Sequence, residues 1–254
     1  MTIARLNLDR KKPTANGLVA LWGAEPTGSS ARLIDHSGHR FDAAAFGGGA
    51  KWAQDFDRHH NVMTLDGTAD DYWEVPNPGT ILNGKSLSFA AWIYPEAAGA
   101  LTPRFIDRDW NDQFSFYWNE TTVTFGADLT TTGGAFSLAN LTVAITVGAW
   151  QHVAYTWDKD DLRLYVDGIL RLTSAAYFDG GMANSVNEIV VGNRQEIAKD
   201  RFYQGRMTGV RLYDRCLSGG EVSHIYNKTR TDPFGDLRHA PTRRYVHRHR
   251  AEVH

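Results

Sequence analysis

The chain of 254 residues sets 27 Lys and Arg against 29 Asp and Glu, so no overall field steers it toward nucleic acid or an anionic membrane. Eight Trp, ten Tyr and twelve Phe beside 24 Gly suit aromatic strands joined by tight turns, and this length fits one large all-β domain. Cys216 is the only cysteine, which excludes an intrachain disulfide, and no apolar run approaches the ~20 residues of a membrane span.

Three textures follow one another: a polar, basic arm over residues 1–16, a body over 17–228, and a basic tail over 229–254. The arm has no apolar run of signal-peptide length, so the expected place of assembly is a bacterial cytoplasm. Within the body, SLSFAAWIYP places Leu87, Phe89, Ala91 and Ile93 on one face of a strand and Ser88, Ala90, Trp92 and Tyr94 on the other. Further on, WQHVAYTWD alternates in the same way. In LRLYVDGILRLT, Asp167-Gly168 sits between two alternating runs and supplies the left-handed pair of a two-residue hairpin. NEIVVGNR and GRMTGVRLYD read as two more short strands. The segment SGGEVSHIYNK predicts a helix capped by Ser218 and Glu221, with Val222, Ile225 and Tyr226 as its apolar stripe, placed to close one end of a sandwich.

The order of these motifs carries a resemblance. GLVALW, DHSG, LDGTADDYWEVP, SLSFAAWIYP, GAWQHVAYTWD, LRLYVDG, IVVGNR and FYQGRMTGVRLYDRCLSGGEV, over roughly residues 17–228, resemble the laminin G-like jelly rolls of the concanavalin A-like superfamily. The resemblance implies an all-β, two-sheet antiparallel jelly-roll sandwich with one concave face, used mostly to bind glycans or proteins and in some members carrying calcium at its rim. Many relatives have an acidic residue after the G-x-[IM] element of the last core strand, where this chain has Thr208.

The residues that could carry chemistry each have a plainer reading beside the functional one. Retaining glycosidases of this fold need acidic residues at alternate strand positions, as in E-x-D-x-E, and no such run occurs. Its nearest approximations, Asp55-Phe56-Asp57, Asp107-Arg108-Asp109 and Asp158-Lys159-Asp160, are read as turns, so no catalytic residue is assigned. Asp66, Asp70, Asp71 and Glu74 gather hard oxygen donors that suit calcium, with Asp66 and Asp71 the candidate ligands; a turn at Asp66-Gly67 with solvated neighbours is the bland alternative. In RFIDRDWNDQFSFYWN, Phe114 and Phe116 alternate as core residues, leaving Trp110 and Trp118 as the candidates to face solvent and stack on a sugar.

The tail holds too little apolar surface for a core of its own, and Pro233 and Pro241 oppose helix. Its arginines and Tyr245 read as a partner-binding arm, with Arg243, Arg244 and Tyr245 as anchors on other virion proteins or another copy of the chain. The tail also resembles virion proteins of tailed bacteriophages. The resulting expectation is a non-enzymatic structural protein of a phage particle, such as a capsid decoration, displaying the sandwich; a free carbohydrate-binding, lectin-like module is the alternative and a polysaccharide hydrolase a third reading.

Overall fold

The computed structural model describes residues 9–23, 32–46, 50–55, 60–68, 70–75, 78–96, 102–109, 113–119, 124–137, 143–175, 180–195 and 200–238. Among them are seventeen strands, every pairing antiparallel, and one α-helix. The ladders form two faces of a sandwich. In the first sheet the order is β2 (Arg32–Asp35), β3 (Ala43–Phe46), β6 (Tyr72–Val75), β16 (Ile189–Val191), β8 (Arg104–Asp107), β9 (Phe114–Asn119) and β10 (Thr124–Thr131). Two short strands, β11 (Gly134–Ser137) and β12 (Val143–Ala144), pair with the far side of β10.

The second sheet is centred on β17 (Gln204–Tyr213) and β7 (Leu87–Pro95), which pair along most of their length. Beyond β7 follow β13 (Gln151–Trp157), β14 (Asp161–Val166) and β15 (Ile169–Ala175). The other side of β17 pairs first with β5 (His60–Asp66), itself paired with β4 (Lys51–Asp55), and then with β1 (Leu18–Gly23). Strand β2 pairs with β1 as well as β3, so it links the two sheets at one edge.

The space between the sheets is filled by large apolar side chains that alternate along β7 and β9. Leu87, Phe89, Ala91 and Ile93 of β7 face Phe114, Phe116 and Trp118 of β9, and Phe89 stacks on Phe116 with centroids 4.6 Å apart. Period-two burial follows from the pleat, which sends successive side chains to opposite faces. Trp118 is therefore only 1% exposed and belongs to this core, against the expectation that it faces solvent. The alternation that turns Phe114 and Phe116 inward turns Trp118 inward too, two residues on.

The Asp167-Gly168 hairpin joins β14 to β15, with φ of 52° and 74° at the two turn residues and Val166 paired to Ile169. A type I′ turn needs those left-handed angles, and its twist matches that of the strands. Ser218 and Glu221 form a complete capping box on α1 (Gly219–Lys228). The helix does not close an end of the sandwich: Val222 and Ile225 lie on the outer face of the second sheet, in a separate apolar cluster with Leu21, Ala90, Ala154 and Tyr165. Ala90 is the outward neighbour of the core residues Phe89 and Ala91, which fixes the side on which the helix sits.

The two terminal segments also depart from the sequence reading. Residues 229–238 are part of the folded body, with Phe234 and Leu237 each 1% exposed in the cluster beneath the helix. Arg211 of β17 makes a bidentate pair with Asp236, 2.7 Å on each arm, and both side chains are buried. Burial opposes ionisation of Asp236, yet the Arg211 guanidinium outweighs it and holds the carboxyl below its ordinary value. Near the other terminus, Thr14 is 2% exposed, and the backbone N–H of Asp9 donates to the Leu237 carbonyl at 2.7 Å. The expected partner anchors Arg243, Arg244 and Tyr245 lie outside the described residues.

Two outcomes follow. Asp236→Ala leaves a buried guanidinium uncompensated and should destabilise the fold by about 3–5 kcal/mol in urea unfolding. Truncation after Thr231, which removes Phe234, Asp236 and Leu237 together, should cost at least as much. Gly168→Ala combines a left-handed angle with a contact of 3.0 Å between the added Cβ and the Tyr226 ring, so it should cost about 1–3 kcal/mol by the same measurement.

Candidate functional site

Residues of β8, β9 and β10 that point away from the core would face water in a bare sheet. Here they are Arg104, Asp107, Ser115, Tyr117 and Asp128, between 0 and 7% exposed. Cross-strand pairing arranges them in two rows. Asp107 pairs with Ser115 and Ser115 with Asp128; Arg104 pairs with Tyr117 and Tyr117 with Gly126. The first row runs on through Val190 to Glu74. Neighbouring strands lie about 4.8 Å apart, so the backbones of Asp107 and Asp128 are about 10 Å apart with Ser115 between them.

Gly126 explains how the second row fits. A Cβ there would stand 3.0 Å from the Tyr117 ring, so the missing side chain lets the tyrosine lie across β10. The Arg104 guanidinium sits 4.7 Å from the centroid of that ring, with Nη2 3.9 Å from Asp128 Oδ2. Residues between β16 and β17 are tied across the sheet: the Gln195 N–H donates to Asp107 Oδ2 at 2.6 Å, and the Arg104 N–H donates to the Arg201 carbonyl at 2.9 Å. These ties place Asp107 under cover, which is why a strand residue on the outer face reaches 0% exposure.

Burial dominates the electrostatics. It raises the Asp107 carboxyl to about 6, although Arg104, the Gln195 N–H and the nearby Ser115 hydroxyl all favour the charged form. Ser115 stands directly opposite Asp107 but completes no hydrogen bond of ordinary geometry to it. Burial and the Asp128 charge push the Tyr117 hydroxyl well up, so it stays a neutral donor. Arg104 is lowered by burial and supported by Asp107 and Asp128, and a guanidinium keeps its charge regardless.

The cluster is incomplete. Arg104 Nε, Asp107 Oδ1 and Ser115 Oγ are all buried without a hydrogen-bond partner. Each such group costs about 1–3 kcal/mol when left unmade, and these three lie together on the outer face of the first sheet. Arg108, next to Asp107 in sequence, shows the contrast. Its guanidinium donates to the Asn187 carbonyl at 3.0 Å, Gln113 Oε1 at 2.8 Å and the Gly79 carbonyl at 2.9 Å, the pattern of a structural plug. Asp107 itself closes β8 and is not a turn residue, contrary to the sequence reading; only Asp109, with φ of 56°, takes the turn conformation.

Two other clusters carry less. Half-buried Tyr94 and Trp150 meet edge to face at 5.6 Å, with the Arg206 guanidinium 3.7 Å over the Tyr94 ring. Asp55 and Glu96 pair with that guanidinium at 2.8 and 3.0 Å, and Asp55 also accepts from the Trp150 indole at 3.1 Å, so this group is internally satisfied. The calcium candidates Asp66 and Asp71 do stand together: Asp71 accepts a short hydrogen bond from the Asp66 N–H, and Asp66 Oδ1 accepts from the Thr68 N–H and hydroxyl. Two carboxylates fall short of the six to eight oxygens calcium takes, and no group of three acidic, His or Cys side chains gathers among the described residues. Trp110 lies outside the described residues, and Trp118, in the core, has no face for a sugar.

Burial lifts the Asp71 carboxyl to about 7, with Asp66 adding repulsion and accepting a hydrogen bond from the protonated form. Because the folded value is raised, the folded state holds its proton longer than the unfolded chain, and stability falls as pH rises from about 4 to about 7. Asp71→Asn should therefore raise the melting temperature at pH 8, and the gain should vanish by pH 4; thermal melts at the two pH values check it.

Comparison with known proteins places the fold. A family model described as the concanavalin A-like lectin/glucanases superfamily matches residues 66–223. Human pentraxin-4 is 23% identical over 158 residues, which cover 59% of this chain and 33% of pentraxin-4. The binding domain of Paraclostridial Mosquitocidal Protein 1 superposes with a TM-score of 0.65 at 16% identity, covering 84% of this chain and 52% of that one. Domain 4 of AbnA, a GH43 extracellular arabinanase from Geobacillus stearothermophilus solved with arabinotriose, superposes at 0.60 with 14% identity over 81% of this chain and 96% of that domain. The binding domain of botulinum neurotoxin DC, in complex with SialylT, superposes at 0.64 with 14% identity over 84% and 52% of the two chains. This chain thus spans a third of the curated relative and about half of the toxin chains, and identities this low show the fold. With the family model matching more than half of its length, the chain belongs to the concanavalin A-like lectin/glucanase superfamily.

Proposed function

We propose that this chain is a non-enzymatic, lectin-like module that binds carbohydrate in the crevice formed by Arg104, Asp107, Ser115, Tyr117 and Asp128. The observation that carries the reading is the unfinished hydrogen bonding of Arg104 Nε, Asp107 Oδ1 and Ser115 Oγ, since sugar hydroxyls both donate and accept and can complete all three. The sugar-bound arabinanase domain and the toxin binding domains support it as neighbours in fold.

The virion reading loses part of its ground. It rested on terminal arms too polar to be held by their own chain, yet residues 9–16 and 229–238 pack on the sandwich. A hydrolase reading meets a different obstacle. Asp107 and Asp128 resemble an acid and base pair across a cleft, but Asp107 is fully buried and one of its oxygens is committed to the Gln195 N–H.

The test is a glycan array probed with the purified full chain, followed by titration calorimetry on the ligands retained. Arg104→Gln and Ser115→Ala, both checked for an unchanged fold by circular dichroism, should weaken binding at least tenfold. Equal binding by both folded variants, or no retained glycan, would sink the proposal. Incubation with the same glycans should release no reducing sugar.

A further inference from the structure

We infer that the open edge of the first sheet holds a sugar-stacking shelf, with Phe46 and Tyr72 as its aromatic wall, Ala44 as its floor, and Arg32 and Glu74 on either side to read hydroxyls. The inference rests on the reading that this chain binds carbohydrate and adds a second place for the ligand on the same face. Its starting point is where that face is accessible. Toward β8, β9 and β10 the outward residues are buried, and Val190 of β16 is 0% exposed. At β3 and β6 the cover ends: Ala44 is exposed, Phe46 is 40% exposed, and Tyr72 and Glu74 are half-buried. Among the described side chains, Phe46 is the only phenylalanine, tyrosine or tryptophan exposed to this degree.

Strand parity builds the shelf. Ala43 and Ala45 turn toward the core on either side of Ala44, and Leu33, Trp73 and Val75 do the same beside Arg32, Tyr72 and Glu74. Pairing then sets Arg32 opposite Ala44, Ala44 opposite Glu74, and Phe46 opposite Tyr72. Arg32 and Glu74 thus flank a bare methyl group, with their backbones about 10 Å apart. The rings of Phe46 and Tyr72 stack nearly parallel, 6° between planes and 4.9 Å between centroids, so one face of Phe46 lies against Tyr72 and the other is turned away from it. Strand β2 begins at Arg32, opposite Ala44, so no described strand runs beside Phe46 on that side.

The rings and the two charges suit the same guest. The negative face of an aromatic ring attracts the slightly positive C–H groups that line one side of a pyranose. A guanidinium only donates hydrogen bonds and a carboxylate only accepts them, whereas a sugar hydroxyl does either, so hydroxyls of one ring can meet both Arg32 and Glu74. Burial, with Glu74 and Asp70 nearby, raises the Tyr72 hydroxyl above its ordinary value and keeps it a neutral phenol. A stacked aromatic pair also steadies a sheet, by about 0.2–1 kcal/mol, but that role needs neither the bare Ala44 nor charges of opposite sign beside it. A protein partner is the wrong size. A stable interface takes about 800 Å² from each side, and the apolar surface here is two rings and one methyl group.

Titration calorimetry on the full chain tests this, with neutral gluco-, galacto- and xylo-oligosaccharides and any ligand retained on the glycan array. Phe46→Ala removes the wall and Ala44→Gln fills the floor without adding charge; each, once circular dichroism shows an unchanged fold, should weaken binding by about tenfold or more. Phe46→Tyr keeps a ring and should leave affinity nearly unchanged. Should Phe46→Ala fail to fold, Ala44→Gln decides alone. A lower melting temperature in Phe46→Ala with affinity unchanged would show a ring that only steadies the sheet and would overturn the shelf. Weakened binding in Phe46→Ala and Ala44→Gln beside full binding in Arg104→Gln would uphold the shelf and overturn the crevice, and the reverse pattern would overturn the shelf and uphold the crevice. Weakened binding in all three would uphold both places. Binding of no glycan by the full chain would remove the carbohydrate reading and this inference with it.

Discussion

Strands β8, β9 and β10 are buried on both faces, and most of what distinguishes this molecule depends on that condition. On one side they carry Phe114, Phe116, Phe125 and Leu129 into the core; on the other, residues between β16 and β17 bridge to them through Gln195 and Arg201. An outward side chain that would cost nothing in an exposed sheet must then be matched as a core residue is. Charged groups at such positions survive by pairing or by hydrogen bonding, because stripping water from an unmatched ion costs more than packing around it returns. Arg104 and Asp107 meet the requirement only in part, with Arg104 Nε and Asp107 Oδ1 left without a partner.

The second sheet meets the same geometric problem largely with apolar cover, beside buried Ser88, His152, Thr156 and Thr208. Its outward residues Leu21, Ala90, Ala154 and Tyr165 are covered by the helix and by the segment through Phe234 and Leu237. One charge enters that layer, Arg211, and it is matched completely by Asp236 and the Pro233 carbonyl. The segments near residues 9 and 238 meet in this layer, so both ends of the described body lie on the face opposite the crevice.

The sandwich was legible in the residues because period-two alternation survives burial: the faces of β7, the hairpin at Asp167-Gly168 and the capping box of Ser218 all appear as read. Trp118 was misplaced by reading an aromatic by its type when its parity with Phe114 and Phe116 had already decided its face. The tail was misread because composition counts residues, whereas Phe234, Asp236 and Leu237 each do far more than their number suggests once Arg211 and Gly23 receive them. A Cβ on Gly23 would stand 2.3 Å from the Phe234 ring, a fit that no reading of the tail alone could reveal. The crevice had a signal that went unused. In FSFYWN, Ser115 and Tyr117 fall on one parity inside a strand otherwise built for a core, whereas in RFID Arg104 and Asp107 lie three apart and share a face only because the strand bulges between Arg104 and Ile106. Knowing that they share a face with Asp128 requires the register of three strands and that bulge.

An incomplete polar network is also informative about selection for stability alone. Three orphaned groups at about 1–3 kcal/mol each would consume a large share of the 5–15 kcal/mol that holds a domain of this kind together. Apolar residues at Arg104, Asp107 and Ser115 would satisfy the pleat, pack against the same cover and remove the penalty, as the second sheet does with Ala90 and Ala154. The second sheet also holds unpartnered hydroxyls, at Thr156 and Thr208, but on the first sheet the unmet atoms belong to a charged pair, Arg104 and Asp107, and places where local chemistry departs from the rest of a fold are where function is expected to reside.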